Sequence, residues 1–209
     1  MLVLEASRLV FLANPKTATQ SVRAMLRGRA MAGPWQDDPG ARHGGIGPFN
    51  RKWRGLIEER VGGPVEVFAV VRDPLARLDS WYRYRKKNAE GDSRSTQGIG
   101  FDDFLCAVMQ DSPPDFARVG AQDRFVGWDG MQSGIDVLFD YDRLDLMMEF
   151  LADRIGVRLR LPVKNTSAKP FSGLPEVEGG VMEALRRKLA GDFALYAAVS
   201  ETGALFRDD

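Results

Sequence analysis

The chain has 209 residues, of which 44% are hydrophobic, and this composition excludes an intrinsically disordered polymer and allows a substantial core. Lysine plus arginine number 29 and aspartate plus glutamate number 29, so the formal net charge is zero and a basic coat for nucleic acid is excluded. One cysteine and one histidine exclude an internal disulfide and the usual zinc ligand sets.

The hydropathy pattern predicts a protein without a membrane span. No apolar run approaches the ~18–20 residues that cross a bilayer, and the first residues, MLVLEASR, lack the basic start of a signal peptide. We therefore expect a cytoplasmic location. The sequence shows no repeat and no linker, so we predict a single domain over residues 1–209. Cys106, in FDDFLCAVM, is expected to be a small buried hydrophobic residue.

Strand and helix patterns alternate along the chain, which predicts an α/β fold of three layers with a central, mainly parallel sheet between helices. In the first half, strands are predicted at about residues 8–13 and 65–71, and the second has the continuous apolar run of a buried parallel strand. Helices are predicted at about residues 19–29 and 50–61. The Gly-, Pro- and Asp-rich segment 31–48 is expected to be a long surface loop.

The second half continues this alternation. Pro74 suits the first turn of a helix that runs to about residue 87, and a third strand is predicted at residues 136–141. Further helices are predicted at about residues 101–110, 144–155, 176–190 and 192–199, and loops at 88–100, 111–115 and 162–175.

The segment LVFLANPKTATQSV, which contains the first strand, ends in a predicted anion-binding loop. Asn14-Pro15 ends the strand, and the residues that follow are Lys16, Thr17, Ala18, Thr19, Gln20 and Ser21. Such a turn directs several backbone N–H groups to one point at the positive end of a helix, where phosphate binds. The spacing is not that of a Walker A motif. An ordinary turn capped by Thr17 or Thr19 is the alternative interpretation.

A second basic segment, VRDPLARLDSWYRYR, follows the buried strand. Arg72 stands where that strand ends, and ligands of parallel sheets bind beyond the carboxyl ends of the strands. On the following helix, Ser80, Arg77 and Tyr84 fall on the side opposite the apolar stripe. Arg72 and Ser80 are therefore predicted to hold a second phosphate, by an arginine fork and a hydroxyl. The alternative is a basic, solvated helix face.

Together the two segments resemble those of the sulfotransferases that use 3′-phosphoadenosine 5′-phosphosulfate (PAPS). Pro15-Lys16-Thr17-Ala18-Thr19-Gln20-Ser21 is similar to the family's P-K-[TS]-G-[ST]-[TS] loop, which binds the 5′-phosphosulfate, and Arg72-Asp73-Pro74…Arg77…Ser80 is similar to its R-[DN]-P-x-x-R-x-x-S segment, which binds the 3′-phosphate. The resemblance implies a P-loop-like fold, PAPS as donor, no metal, and these same roles for the residues from Lys16 to Ser21 and for Arg72 and Ser80.

Weaker similarity to the carbohydrate sulfotransferase branch continues downstream, at Gln122…Phe125-Val126-Gly127, residues 137–151, Leu161-Pro162…Asn165-Thr166-Ser167 and Asp192-Phe193-Ala194-Leu195-Tyr196. Two positions depart from the family pattern. Ala18 stands where the family often has glycine, so a left-handed backbone there is expected to be strained. Gln20 replaces a common hydroxyl.

His43 is the predicted general base. Transfer to a hydroxyl needs a group that accepts its proton, and the imidazole pKa suits this work near neutral pH. Related carbohydrate sulfotransferases use a His or Glu between the two phosphate segments, and His43 lies between them. A surface histidine in a loop is the alternative interpretation, with Glu58 or Glu59 as the substitute base.

These observations predict a PAPS-dependent sulfotransferase that acts on a hydroxyl of an acceptor, with a carbohydrate favoured, and needs neither nucleic acid nor metal. His43 would deprotonate the acceptor, and Lys16 would neutralise the charge that builds up on the leaving phosphate. Two alternatives stay open. One is a nucleotide kinase with an unusual phosphate loop, which would require ATP and Mg²⁺. The other is a non-catalytic nucleotide-binding protein that retains the fold.

Overall fold

The structure is a computed structural model, and it describes residues 1–162 and 175–207. Within these residues the strands form one five-stranded sheet whose spatial order follows the chain. The strands are β1 (Leu2–Leu4), β2 (Leu9–Phe11), β3 (Glu66–Val71), β4 (Val137–Asp140) and β5 (Ala204–Phe206).

The three central strands are parallel and the two edge strands are antiparallel to their neighbours. Val10 of β2 is opposite Val67 of β3, and Ala69 of β3 is opposite Leu138 of β4. β1 and β5 run antiparallel to β2 and β4. The prediction of a mainly parallel sheet is therefore confirmed at the centre and wrong at the edges. Each missed edge strand has only three residues, too few for a periodic pattern.

The described helices lie in the order expected from the sequence, with additions in the first half. They are α1 (Thr19–Leu26), α2 (Pro39–Arg42), α3 (Ile46–Lys52), α4 (Arg54–Val61), α5 (Pro74–Arg85), α6 (Phe101–Val108), α7 (Gln122–Val126), α8 (Leu144–Ile155), α9 (Gly179–Lys188) and α10 (Ala190–Ser200).

The predicted surface loop at residues 31–48 is wrong, because this segment contains short helices and buried side chains. Trp35 is only 2% exposed and lies in the core. Pro39 opens α2, and the Asp38 carboxylate caps it by accepting a hydrogen bond from the Gly40 N–H at 2.7 Å. The Gly, Pro and Asp residues thus begin helices here, a role that proline and aspartate often have.

Helices cover both faces of the sheet. On one face, β2, β3 and β4 pack with α1 and α8 through Val22, Leu26, Met147 and Leu151. On the other face the core includes residues of α3, α4, α7 and α10. α5, α6 and α9 share a third cluster of apolar side chains. This arrangement leaves the carboxyl ends of the central strands to the loops that follow them.

Two further expectations concern single positions. Cys106 is exposed, so the prediction that it is buried is wrong; Phe104, Leu105 and Ala107 supply the buried side of α6 instead. Asn165, Thr166 and Ser167, which contribute to the family resemblance, lie outside the described residues.

Among the residues that the structure covers, no helix combines the length and the apolar character required to cross a membrane.

Candidate functional site

The two predicted phosphate-binding segments meet beyond the carboxyl ends of β2 and β3. β2 and β3 are parallel neighbours, so the loop after β2 and Arg72 after β3 leave the sheet side by side. Their contact is direct, because the Arg72 Nη1 group donates a hydrogen bond to the Lys16 carbonyl at 3.3 Å. In open α/β sheets, ligands bind beyond the carboxyl ends of neighbouring parallel strands.

The loop before α1 presents its backbone N–H groups without partners. Lys16 and Ala18 both have left-handed backbones, with φ of 72° and 58°. Ala18 is the N-cap residue of α1, and no side chain caps this helix. Within the described part of the chain, the N–H groups of residues 16–20 have no hydrogen-bond acceptor. Several such groups at a helix N-terminus form a binding site for an anion.

The threonine hydroxyl groups of the loop form hydrogen bonds with the loop's own backbone. Thr17 and Thr19 are buried, and their Oγ1 groups donate to the Asn14 carbonyl at 2.8 and 2.7 Å. The alternative in which Thr17 or Thr19 caps α1 is therefore wrong. Gln20 is exposed, and Ser21 is buried. The loop is thus folded from within, so that its N–H groups, not its threonine hydroxyls, remain open.

Asn14 and Gln122 connect the loop to the end of β3. The Asn14 Nδ2 group donates to the Val70 carbonyl at 3.0 Å and to the Gln122 Oε1 atom at 3.1 Å. The Gln122 amide also accepts from the Arg72 N–H at 3.0 Å and donates to the Arg72 carbonyl at 2.8 Å. Both side chains are fully buried. This network fixes the spacing between the two phosphate segments.

Arg77 is buried and holds the loop through hydrogen bonds to backbone carbonyls, so its guanidinium is not available to a ligand. It is 3% exposed, and its guanidinium donates to the carbonyls of Pro15 at 3.2 Å, Gly120 at 3.1 Å and Val119 at 3.1 Å. Burial lowers the pKa of Arg77 to about 10, and the Asp192 carboxylate opposes this effect. Arg77 is therefore still charged at neutral pH. The sequence placed Arg77 with Ser80 on the side of α5 opposite the apolar stripe, whereas its guanidinium is buried against backbone carbonyls.

Lys16 is the centre of a cationic group. Its ammonium lies 4.2 Å from the centre of the Tyr84 ring and 5.5 Å from that of Trp81. Burial, followed by the repulsion of nearby cations, lowers the pKa of Lys16 to about 8. These cations are Arg72, Lys87, Arg83 and Arg77. Since no described carboxylate pairs with Lys16, Arg72 or Lys87, the group has an excess of positive charge that an anion would balance.

Arg72 and Ser80, the two residues predicted to hold a second phosphate, differ in their contacts. The Arg72 guanidinium stacks on the ring of Tyr141, 4.2 Å from its centre, at the end of β4. Ser80 lies on α5, half-buried, and its hydroxyl has no hydrogen-bond partner among the described residues. The structure therefore joins Arg72 to the Lys16 loop directly, whereas it shows no hydrogen bond from the Ser80 hydroxyl to either.

His43 lies beside Ala13, two residues after the end of β2. Its Nδ1 atom is 3.2 Å from the Ala13 carbonyl oxygen, which can only accept, so Nδ1 carries the proton and Nε2 keeps its lone pair. Partial burial lowers the pKa of His43; the Ala13 contact opposes this, and Arg23, the Met1 amine and Arg42 add to it. The imidazole is thus kept neutral at pH 7, as a base requires.

Glu58, the substitute base, lies at the wrong end of the sheet. Its carboxylate accepts hydrogen bonds from Arg54 at 3.2 Å and from the Val65 N–H at 3.3 Å, just before β3 begins. The open loop follows the opposite ends of the strands. Glu59 is an exposed residue of the same helix. His43 is therefore the better placed of the candidates.

Sequence reasoning missed several residues that build this site. Asn14 and Gln122 form the buried amide network, and only the weak family resemblance drew attention to Gln122. The Lys16 ammonium lies against the rings of Trp81 and Tyr84, and their spacing of three residues on a helix was the available signal. Tyr141 under Arg72 had no signal in the sequence, because the contact depends on how β3 and β4 pair.

Comparisons with protein-family models, with curated proteins and with solved structures find no match to this chain. In residues 1–162 and 175–207, no group of three or more His, Cys, Asp or Glu side chains is arranged to hold a metal ion.

Proposed function

We propose that this protein is a sulfotransferase that moves a sulfuryl group from PAPS to a hydroxyl group, and that its fold is P-loop-like. The observation that carries the proposal is the direct contact between two cationic segments, with the Arg72 guanidinium bonded to the Lys16 carbonyl at 3.3 Å beside a loop of open N–H groups. A donor with phosphates at both the 5′ and the 3′ position of its ribose needs two such sites side by side.

The chemistry of the residues fits this donor. The N–H groups of residues 16–20 would hold the 5′-phosphosulfate, and Arg72, with Ser80 on α5 as a second candidate, would hold the 3′-phosphate. Burial, followed by the repulsion of nearby cations, lowers the pKa of Lys16 to about 8, and a bound polyanion would balance these cations. No carboxylate is among the groups that shift the pKa of Lys16, so no negative side chain would repel the donor there.

The transfer itself needs little covalent help from the protein. The donor supplies the sulfuryl group, and its bond to the 5′-phosphate breaks as the acceptor oxygen bonds to sulfur. The His43 Nε2 atom would take the acceptor's proton, since Nδ1 is committed to the Ala13 carbonyl. Lys16 and the loop N–H groups would balance the negative charge that the leaving phosphate gains. A sugar hydroxyl remains the favoured acceptor.

Release of 3′,5′-adenosine bisphosphate from PAPS, measured with a panel of neutral and acidic hydroxyl acceptors, tests this proposal. Acceptor-dependent release supports it. The His43→Ala variant should keep its affinity for the bisphosphate and lose ~10²–10⁴-fold in turnover. Full turnover in this variant would remove His43 as the base, and failure of every acceptor to stimulate release would count against sulfuryl transfer.

A further inference from the structure

Lys16 carries its charge in surroundings that disfavour a cation. Its ammonium is partly buried, and four cationic side chains repel it: Arg72, Lys87, Arg83 and Arg77. Among the described residues, no carboxylate forms an ion pair with Lys16, and no atom accepts a hydrogen bond from its ammonium. Asp79, the one carboxylate of α5, is engaged by Arg83 at 2.6 Å. The ammonium is therefore stabilised by groups other than a counterion.

Two aromatic rings of α5 lie against this ammonium. The Lys16 Nζ atom is 4.2 Å from the centre of the Tyr84 ring and 5.5 Å from that of the Trp81 ring. Both distances are within the ~6 Å at which the face of a ring attracts a cation. Trp81 and Tyr84 are three residues apart on the helix, and their rings meet edge to face with their centres 5.9 Å apart. They form one aromatic pair that contacts Lys16 jointly.

The two members of the aromatic pair differ in how the protein holds them. The Arg85 guanidinium lies 5.0 Å from the centre of the Trp81 ring, and it is itself fixed by hydrogen bonds to the carbonyls of Asp115 and Arg118. Tyr84 is 53% exposed and belongs to none of the buried clusters. Its hydroxyl has no hydrogen-bond partner among the described residues. The ring of Tyr84, not its hydroxyl, is therefore the part that the site uses.

An aromatic ring suits an anion site better than a carboxylate would. A carboxylate beside Lys16 would hold the ammonium, but it would also cancel the positive charge and repel an incoming anion. A ring attracts the ammonium and brings no net charge, so the cationic group keeps its excess. The ammonium has three donors, and no described residue accepts from them. They stay available to phosphate oxygens while the rings hold the nitrogen.

We infer that Tyr84, together with Trp81, is a positioning residue for Lys16, which holds the ammonium at the anion site both before and after the anion binds. The inference rests on the proposed function for the identity of the anion, the 5′-phosphate end of the donor. Tyr84 acts through Lys16 and has no role of its own in the transfer. Because Tyr84 is exposed, a substitution there leaves the buried clusters intact.

The Lys16 pKa of the ligand-free protein is the first measurement. An NMR titration of protein with ¹³C-labelled lysine side chains follows it, and the Lys16→Met variant identifies the signal by its loss. Tyr84→Leu keeps an apolar side chain but removes the ring face, and it should lower the Lys16 pKa by about 0.5–1 from its value of about 8. Tyr84→Phe keeps the face and should give the wild-type value. Equal values in all three proteins would overturn the inference.

Calorimetric titration with 3′,5′-adenosine bisphosphate at pH 6 and pH 9 tests whether the ring also holds Lys16 in the complex. Ionisation of the phosphates affects every protein alike and cancels in the ratio of affinities. Tyr84→Leu should bind as wild type at pH 6, where Lys16 is charged in both proteins, and ~3–10-fold more weakly at pH 9, where binding has to recharge it. Tyr84→Phe should match wild type at both values.

Two other patterns would overturn the inference. Tighter binding by Tyr84→Leu at pH 6 with no change at pH 9 would mean that Lys16 leaves the ring when the anion binds, because only the free state would then lose a contact. Equal weakening at both pH values would mean that the substitution disturbs the site in general and does not act through the Lys16 ammonium.

Failure here and failure of the proposed function are distinguishable. If wild type binds the bisphosphate but Tyr84→Leu changes neither the Lys16 pKa nor the affinity, the positioning role alone fails. If wild type does not bind the bisphosphate, the sulfotransferase proposal fails, and the comparison at the two pH values is made with inorganic pyrophosphate. The expected pattern with pyrophosphate supports the positioning role at an anion site, and absence of pyrophosphate binding overturns it.

Discussion

Two strand–loop–helix units, β2–α1 and β3–α5, lie side by side in the sheet. They have the same architecture, but the N-terminus of one helix is uncapped and that of the other is capped. α1 begins at Ala18, with no side-chain cap and with open N–H groups before it. α5 begins with Pro74 and is capped by Asp73, whose carboxylate accepts from the Ala76 N–H at 2.8 Å. One helix N-terminus is open to an anion, and the other is closed by the protein's own anion.

This difference teaches that equivalent positions in a sheet need not bind a ligand in the same way. A phosphate at α1 would be held by backbone groups, with Lys16 added, whereas a phosphate near α5 would depend on the side chains of Arg72 and Ser80. A carboxylate at the start of α5 occupies the place where a second backbone site would form. Substitutions should therefore affect the two units unequally.

The largest effect is expected for Lys16→Ala. Lys16 is the only side-chain cation of the β2–α1 unit that belongs to the loop, and its loss should lower kcat/KM with PAPS by ~10²–10³-fold. Lys87→Ala is the matched control, because Lys87 adds to the same cationic group from outside the loop. It should cost well under tenfold. Equal losses in the two variants would show that only the overall charge matters.

A smaller and more selective effect is expected for Arg72→Ala. Affinity for 3′,5′-adenosine bisphosphate should fall by ~10–100-fold, because a charge-assisted fork to phosphate is lost. Affinity for 5′-AMP, which lacks the 3′-phosphate, should be unchanged in the same calorimetric titration. Ser80→Ala should cost less than Arg72→Ala. Equal weakening of both nucleotides would mean that Arg72 acts on the loop through the Lys16 carbonyl instead.

The pH dependence of binding should identify the Lys16 ammonium. Its pKa is about 8 in the free protein, and a bound anion favours the charged form, so binding above pH 8 takes up a proton. Affinity for the bisphosphate should be flat between about pH 7 and 8, where its phosphates stay doubly ionised, and fall by up to about tenfold per pH unit above pH 8. The Lys16→Met variant should lose this dependence. A wild-type affinity that stays constant to pH 9.5 would contradict the assignment.

The same lowered pKa predicts a change in the stability of the ligand-free protein. The unfolded chain keeps Lys16 protonated up to the ordinary lysine pKa of 10.5, whereas the folded chain releases this proton above about pH 8. Between these values the unfolded state binds more protons, so the contribution of Lys16 to the free energy of unfolding rises with pH. Comparing wild type with Lys16→Met between pH 8 and 10 isolates this contribution.

The smallest effect is expected for Ala18→Gly. Ala18 has a left-handed backbone, and glycine removes that strain at some cost in chain entropy, so the variant should gain about 0.5–1 kcal/mol of stability. Ala24→Gly is the control within the same helix, where the backbone is helical and glycine should cost about 1 kcal/mol. Opposite signs in chemical denaturation would confirm the loop conformation. Destabilisation by both changes would contradict it.

The sequence predicted the central strands and the position of the loop, because their signals are local. The apolar run before Arg72 ends with β3, and the Asn14-Pro15 break begins three residues after the end of β2. The edge strands were missed since three residues pair only where tertiary contacts place them. At the candidate site, Lys16, Arg72 and His43 were predicted from their chemistry and from the family resemblance, and their roles stay predictions. The buried roles of Asn14, Gln122 and Arg77 depend on carbonyl groups far along the chain, which no local pattern encodes.

Thermal unfolding with 3′,5′-adenosine bisphosphate, compared with ATP and Mg²⁺, tests the central claim that two phosphate subsites lie side by side. At ~100 times its dissociation constant, a ligand adds about 2.7 kcal/mol of stability, so Tm should rise by about 5–10 °C with the bisphosphate. The bisphosphate should stabilise the protein more than ATP with Mg²⁺ does, and Arg72→Ala should remove most of the difference. Stabilisation by ATP with Mg²⁺ alone, or by neither nucleotide, would contradict the account.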